Sequence, residues 1–177
     1  MNIKQNLLIM KKITSLALVL FAFMSVEGMA QEKPLSPKET VDGSIDGTKV
    51  TIVYSRPSAR GRKMLGEKEP FGQVWRTGAN DATTIEFDKA VTIEGKTLAA
   101  GKYALFTIPG EKEWTIIFNK DPKQWGAYKY KESDDVLRVN VKPGKADFTE
   151  TFTIAIEKDG VNLKWETTSV TFKIKKG

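Results

Sequence analysis

Along most of the chain, apolar and polar residues alternate with a period of two. Lys49-Val50-Thr51-Ile52-Val53-Tyr54 alternates, as do Thr83–Phe87, Ala90–Ile93 and Val136-Leu137-Arg138-Val139-Asn140-Val141. Phe148–Ile156, Val161–Trp165 and Val170–Ile174 follow the same rule, while Tyr103–Ile108 and Trp114–Phe118 are rich in aromatic and branched residues. Side chains of a strand point to opposite faces in turn, so alternation marks a strand with one buried face. Glu94-Gly95-Lys96, Pro109-Gly110-Glu111 and Lys158-Asp159-Gly160 place turn residues between such runs and predict hairpins. No window of ten or more residues carries the 3.6-residue period of an amphipathic helix, and no internal repeat occurs. The pattern predicts an all-β fold, an antiparallel β-sandwich of about eight to nine strands whose last three form a meander.

Two long loops interrupt the alternation, Arg56–Asn80 and Asn119–Asp135. Structureless connections beyond about 12–15 residues are uncommon in compact domains and usually serve a function, so function is to be sought there.

The N-terminus reads as an address. Lys11-Lys12 precede an apolar run, Ile13–Val26, and then Gly28-Met29-Ala30 with small residues at the −3 and −1 positions. This is the order of a secretory signal peptide cleaved after Ala30, and the run falls short of the roughly 20 residues that span a bilayer. Met10, directly before the lysines, would make a more typical start. The expected organisation is a signal peptide at 1–30, a polar leader at 31–40 and one β-sandwich domain at 41–177, with no transmembrane segment after cleavage. Such a protein is exported, periplasmic or secreted.

Composition narrows the chemistry. Among 177 residues there is no cysteine and no histidine. That excludes imidazole bases, Ser-His-Asp triads, thiol nucleophiles, disulfides and His- or Cys-ligated zinc. Neither a cofactor nor a metal site is expected, and no catalytic residue stands out. The formal charge is +6, of which the first 30 residues carry +2, leaving +4 on the other 147. Export and so modest a charge argue against nucleic acid as a partner.

That +4 is concentrated in the first loop. Arg56, Arg60, Arg62, Lys63, Lys68 and Arg76 stand there against Glu67 and Glu69, and four of the chain's five arginines are among them. Arginine is preferred where a planar donor grips carboxylate or phosphate, or stacks on a ring such as Trp75. Two readings stay open: an anion-recognition loop for phosphate, sulfate or uronate, or guanidiniums that bond the loop's own carbonyls and pair with Glu67, Glu69 and Asp81. The second loop holds Trp125, Tyr128 and Tyr130. They form either platforms for a sugar ring or anchors that plug one end of the sandwich.

Nearby motifs fail on inspection. Asp42-Gly43-Ser44-Ile45-Asp46-Gly47 mimics half a calcium loop, but Val53 occupies the position of the bidentate glutamate, so a turn before the first strand is expected. Gly61–Lys68 has P-loop glycine spacing without the Lys-Ser/Thr pair. Asp81, Glu86, Asp134 and Asp135 offer carboxylates for glycoside hydrolysis, with nothing in their spacing to show a facing pair.

Several stretches also resemble a known family. Arg56-Pro57, Gly61-Arg62-Lys63, Pro70-Phe71-Gly72-Gln73-Val74-Trp75-Arg76-Thr77-Gly78-Ala79-Asn80 and Ala82-Thr83-Thr84-Ile85 resemble domain-of-unknown-function family 2911, a family of exported bacterial proteins. The likeness continues through Ala100-Gly101-Lys102-Tyr103, Phe106-Thr107-Ile108-Pro109, Gln124-Trp125-Gly126-Ala127-Tyr128 and Leu137-Arg138-Val139. The resemblance implies an exported β-rich single domain and no assigned activity, cofactor or catalytic residue.

The expected function is a non-enzymatic binding or interaction domain of the cell envelope. Its candidate ligand-binding residues are Arg56, Arg60, Arg62, Trp75, Arg76, Asn80, Trp125 and Tyr128, and its partner a small anionic or carbohydrate ligand or an envelope protein. The alternatives are a carboxylate-dependent hydrolase and an accessory subunit of an envelope complex.

Overall fold

The computed structural model of the protein describes residues 34–177. The expected signal peptide and the first residues of the leader lie outside the described residues. Ten strands follow in chain order: β1 Lys38–Ile45, β2 Thr48–Ser55, β3 Thr84–Phe87, β4 Val91–Ile93, β5 Lys96–Leu98, β6 Gly101–Ile108, β7 Trp114–Asn119, β8 Asp135–Val141, β9 Gly144–Glu157 and β10 Gly160–Lys176. One turn of 3-10 helix, Glu132–Asp134, precedes β8, and the described residues contain no α-helix. Every strand pairing is antiparallel. The strands form a six-stranded sheet, β1-β2-β3-β6-β7-β8, and a four-stranded sheet, β5-β4-β10-β9, in a sandwich-like arrangement.

Two strands escape the alternation pattern, and two predicted ones are joined. β1 starts at Lys38, inside the expected leader, and Asp42–Ile45 pair with Thr48–Thr51 instead of forming a turn. Only Asp46 and Gly47, both at positive φ, make that turn. Gly43 disguised the strand, yet it is required there: a Cβ would lie 2.8 Å from Cγ2 of Ile156, on β9. β5, at three residues, is too short to show a period. Val161–Trp165 and Val170–Ile174 both belong to β10, which doubles back on itself. The Asn162 amide donates to Thr171 Oγ1 at 2.6 Å and Ile174 N to the Asp159 carbonyl at 3.0 Å. In a straight strand Asn162 and Thr171 would be about 30 Å apart. The change of direction falls at Glu166, which sits at φ 52° where the ladder with β9 shifts register.

Between the sheets lies the main core. Ile52, Ile85, Leu105 and Phe118 from the six-stranded sheet meet Phe152, Leu163, Trp165 and Phe172 from the other. Phe118 and Phe172 touch edge to face across it at 5.8 Å. β6 is buried on both faces: Leu105 enters this core while Ala104 and Phe106 point the other way, with Ile117 of β7. Alternation fails there because the outer face of the six-stranded sheet is covered as well. Val74 from the first loop, Ala82 between that loop and β3, and Ala127 and Tyr130 from the second loop close over it in a small second cluster. The two interruptions of the pattern therefore lie on the same outer face.

Candidate functional site

The first loop leaves β2 and immediately seals the free edge of β9. An unpaired edge exposes a row of amides and carbonyls, and proteins cover such edges with loops. Here Phe152 N donates to the Pro57 carbonyl and Ala59 N to the Glu150 carbonyl, each at 2.9 Å, and Ser58 bridges Thr151. Arg56 locks the junction. Its Nε donates to the Phe152 carbonyl at 3.2 Å, one terminal nitrogen to Thr153 Oγ1 at 2.8 Å and the other to Glu39 of β1 at 2.6 Å. Arg60 donates to the Leu35 carbonyl at 2.9 Å, and Arg62 to the carbonyls of Ala59 and Ser58 at 2.9 and 3.1 Å. Further along, the Glu166 carboxylate accepts from Met64 N and Leu65 N, both at 2.9 Å, and ties the loop to β10. Three of the four loop arginines thus bond the protein's own oxygens.

Trp75 turns inward. Its ring stacks on Trp165, with centroids 5.5 Å apart and planes 13° from parallel, and meets Trp114 and Phe152 edge-on. Backbone bonds in both directions pair Trp75 with Thr107 at the end of β6, so the motif continues the sheet before looping out. Thr77 is fully buried at φ 57°, a conformation that costs a β-branched residue about 1–3 kcal/mol. Local bonds hold it: Thr83 Oγ1 donates to the Thr77 carbonyl at 2.7 Å and Trp75 Nε1 to the Gly78 carbonyl at 3.1 Å. A Cβ on Gly78 would lie 2.9 Å from the Ser55 carbonyl oxygen, so only glycine fits. Arg76, next in the chain to Trp75, is half-buried. Its Nε is buried without a hydrogen-bond partner. Burial pushes the nearby Glu69 carboxyl up, and the Arg76 charge opposes that shift.

Asn80 is the member of the first loop that meets the second. Its carbonyl accepts from Gly126 N at 3.0 Å, Ala82 N donates to the Gln124 carbonyl at 2.9 Å, and Asp81 bridges Trp125. The second loop is fixed from beneath by Asn119, which is fully buried. Asn119 Nδ2 donates to Asp135 Oδ1 at 2.9 Å, while its Oδ1 accepts from Asp121 N and Gln124 Nε2 at 3.1 Å each. Asp135 also accepts the Tyr130 hydroxyl. Burial, then that hydrogen bond to a carboxylate, raises the Tyr130 pKa far above its ordinary value.

Where the loops meet, a groove of about 600 Å³ opens on the outer face of the six-stranded sheet. This lies within the range of small-ligand sites. Its walls include Lys38 of β1, Ser55 of β2, Asp81, Thr84 of β3, Lys102 of β6, and Lys123, Gln124 and Trp125 of the second loop. Trp125 is 62% exposed, an unusual position for so large an apolar ring. Lys38 pairs with Asp81 at 3.1 Å and Lys102 with Glu86 at 3.6 Å. Lys123 has no ion pair among the described residues.

Of the eight residues singled out from sequence, Trp125 alone lines this groove, with Asn80 bonded beside it. Arg56 and Arg60 lie against β9, Arg62 bonds its own loop, Trp75 is in the core, and Tyr128, 85% exposed, stands outside the groove. Nothing in the sequence marks Lys38, Lys102, Lys123 or Gln124: Lys38 stands in the expected polar leader, Lys102 at the start of a strand run, and Lys123 and Gln124 among other polar residues of the second loop. Among the described residues, no group of three or more acids is placed to hold a metal ion, and no helix is long and apolar enough to cross a membrane. A family model described as "Protein of unknown function (DUF2911)" matches residues 36–174. No curated protein and no solved structure matches the chain.

Proposed function

The chain belongs to the DUF2911 family of proteins of unknown function, and since that description names no activity, we propose from the site's own chemistry that it is a binding module for a small anionic ligand. The ligand sits in the groove where the second loop crosses the outer sheet face, with Trp125 as its platform and the surrounding lysines as its charge partners. The module works outside the inner membrane, a reading supported by the Lys-apolar-small order of residues 11–30.

One observation carries this: a large aromatic ring is held exposed over a concave, lysine-rich surface by a buried polar network beneath it. Exposing a tryptophan forfeits burial worth about 1.5–3 kcal/mol or more, and anchoring its loop through Asn119 and Asp135 keeps it from folding inward. The groove's lining contains one carboxylate, Asp81. Glycoside hydrolysis by two carboxyl groups would need a second across the bond, so binding without turnover fits these walls better.

Amide chemical-shift mapping with acetate, citrate, inorganic phosphate and a sugar acid tests the proposal. Saturable shifts should cluster at residues 53–55, 81–84, 102 and 122–125. Shifts centred on Arg60 and Arg62, or scattered over the surface, would reject the groove. A second reading, docking of an envelope protein, draws on Tyr128, which is exposed outside the groove next to Lys129. It expects a specific partner to be lost with Tyr128→Ala and retained with Lys102→Ala.

A further inference from the structure

We infer that two copies of this chain pair through β1, antiparallel about a two-fold axis at Thr40, so that their six-stranded sheets join into one. The hairpin between β1 and β2 decides which backbone groups of β1 are left free. Ile45 and Thr48 flank a two-residue turn, Asp46-Gly47, with positive φ at both residues. In such a hairpin the flanking residues exchange both hydrogen bonds, so Ile45 bonds to β2, and every second residue before it, Gly43, Val41 and Glu39, does the same. Neighbouring bonds agree with that phase. Arg56 N donates to the Pro37 carbonyl at 2.9 Å, and the Lys49 carbonyl of β2 accepts from Asp88 N at 3.3 Å, on the side away from β1. Lys38, Thr40, Asp42 and Ser44 therefore turn their N–H and C=O groups outward, and nothing meets them among the described residues. All four residues are exposed.

The other sheet edges are poorer templates. The first loop covers β9 at Glu150 and Phe152, and β5 has only three residues. β8 shifts register against β7, and Lys96 Nζ takes its Arg138 carbonyl at 3.1 Å. β1 pairs with β2 over eight residues with no bulge and no proline, the kind of edge that templates another strand. Its side chains make a second copy the fitting occupant. With the axis at Thr40, Lys38 of each copy lies opposite Asp42 of the other, and the two Thr40 residues face each other. Opposite charges and threonine pairs stabilise antiparallel neighbours. An axis at Lys38 or Asp42 would set like charges face to face, and one at Glu39 or Val41 would match neither charge with its opposite. Both charges are available. Lys38 and Asp81 form a pair more than half exposed on each side, which contributes little, and Asp42 accepts one bond, from Thr51 Oγ1. The two-fold axis of an antiparallel ladder stands perpendicular to the sheet, so the two grooves open on the same side, each with its Lys38 beside the seam. Pairing over Lys38–Asp42 makes an interface below the roughly 1,200 Å² of stable complexes, so the dimer is reversible.

Analytical ultracentrifugation of the protein produced from its full chain, from about 10 μM to about 1 mM, tests this and should show a monomer–dimer equilibrium with Kd on the order of 100 μM. The chain has no cysteine, so one introduced at a time reports the register. Across the axis, the two Thr40→Cys positions lie about 5.5 Å apart, within disulfide reach, and the two Ser44→Cys positions about 27 Å apart. Oxidation should link Thr40→Cys at least about tenfold faster than Ser44→Cys. Thr40→Pro removes an outward N–H and no bond to β2, and should leave only monomer. Asp42→Lys should weaken the dimer by about tenfold, and adding Lys38→Asp should restore it, which reads the register even if Thr40→Pro does not fold. Monomer at every concentration overturns the second copy as the occupant of this edge. A dimer that folded Thr40→Pro leaves intact, that links Ser44→Cys as fast as Thr40→Cys, or that the charge exchange fails to restore also overturns the inference.

Discussion

Replacing Arg56 by alanine removes the one side chain that ties β1, β2 and β9 together at the seam between the two sheets. The guanidinium is 28% exposed and Glu39 39%, so their ion pair is partly screened and contributes about 0.5–1 kcal/mol. The bonds to the Phe152 carbonyl and Thr153 Oγ1 are charge-assisted and contribute about 1.5 kcal/mol each, the low end for such bonds at a half-buried site. Their sum is about 3–4 kcal/mol, which for a domain of this size lowers the melting temperature by about 10 °C. Urea denaturation read by tryptophan fluorescence measures it, because Trp75 and Trp165 stack in the core behind the seam. Arg60→Ala is the control: that side chain is exposed and donates one bond, to the Leu35 carbonyl, so it should cost about 0.5–1 kcal/mol. Arg56→Lys should recover only the Glu39 pair, since an ammonium on a flexible stem cannot reproduce the planar fork. A cost below about 1 kcal/mol for Arg56→Ala, or an equal cost for Arg60→Ala, would refute the assignment of Arg56 to the seam.

Other expectations follow from the same geometry. Glu166→Gln places an amide N–H against one of the two donors, Met64 N or Leu65 N, and should cost about 1.5–3 kcal/mol; hydrogen exchange at those two amides should accelerate while exchange in β6 is unchanged. Gly78→Ala forces a Cβ to 2.9 Å from the Ser55 carbonyl and should destabilise by about 1–3 kcal/mol, seen as a lower urea midpoint with an unchanged slope. Tyr54, Tyr103 and Tyr130 are all raised above the ordinary 10.0, by burial first and, for Tyr130, also by its bond to Asp135. On unfolding each would release its proton more readily, so the stability they contribute is complete below about pH 10 and lost as pH rises through the folded values. The urea midpoint should therefore fall above about pH 10, and Tyr130→Phe should reduce that fall; a flat midpoint would contradict the burial of these hydroxyls.

Much of the architecture follows from local pattern. Period-two alternation in Lys49–Tyr54 and Val136–Val141 reflects the geometry of a pleated strand with one wet face, and that geometry is the same wherever the strand lies. The family was legible for a related reason: Trp75-Arg76-Thr77-Gly78-Ala79-Asn80 is a turn whose strained Thr77 and crowded Gly78 admit few other residues. Local pattern misleads where a partner distant in sequence sets the requirement. Gly43 reads as a turn residue, yet it sits mid-strand because Ile156, more than a hundred residues on, packs against its backbone. Tertiary structure alone decided what the arginines do. A guanidinium grips a carbonyl or a ligand with the same donors, and only folding brought the Phe152 carbonyl and Thr153 of β9 to Arg56 and the Leu35 carbonyl to Arg60, while Arg62 turns back on the Ser58 and Ala59 carbonyls of its own loop. The groove was equally hidden, since Lys38, Lys102 and Lys123 come from β1, β6 and a loop and carry no mark until strand pairing brings them to one wall.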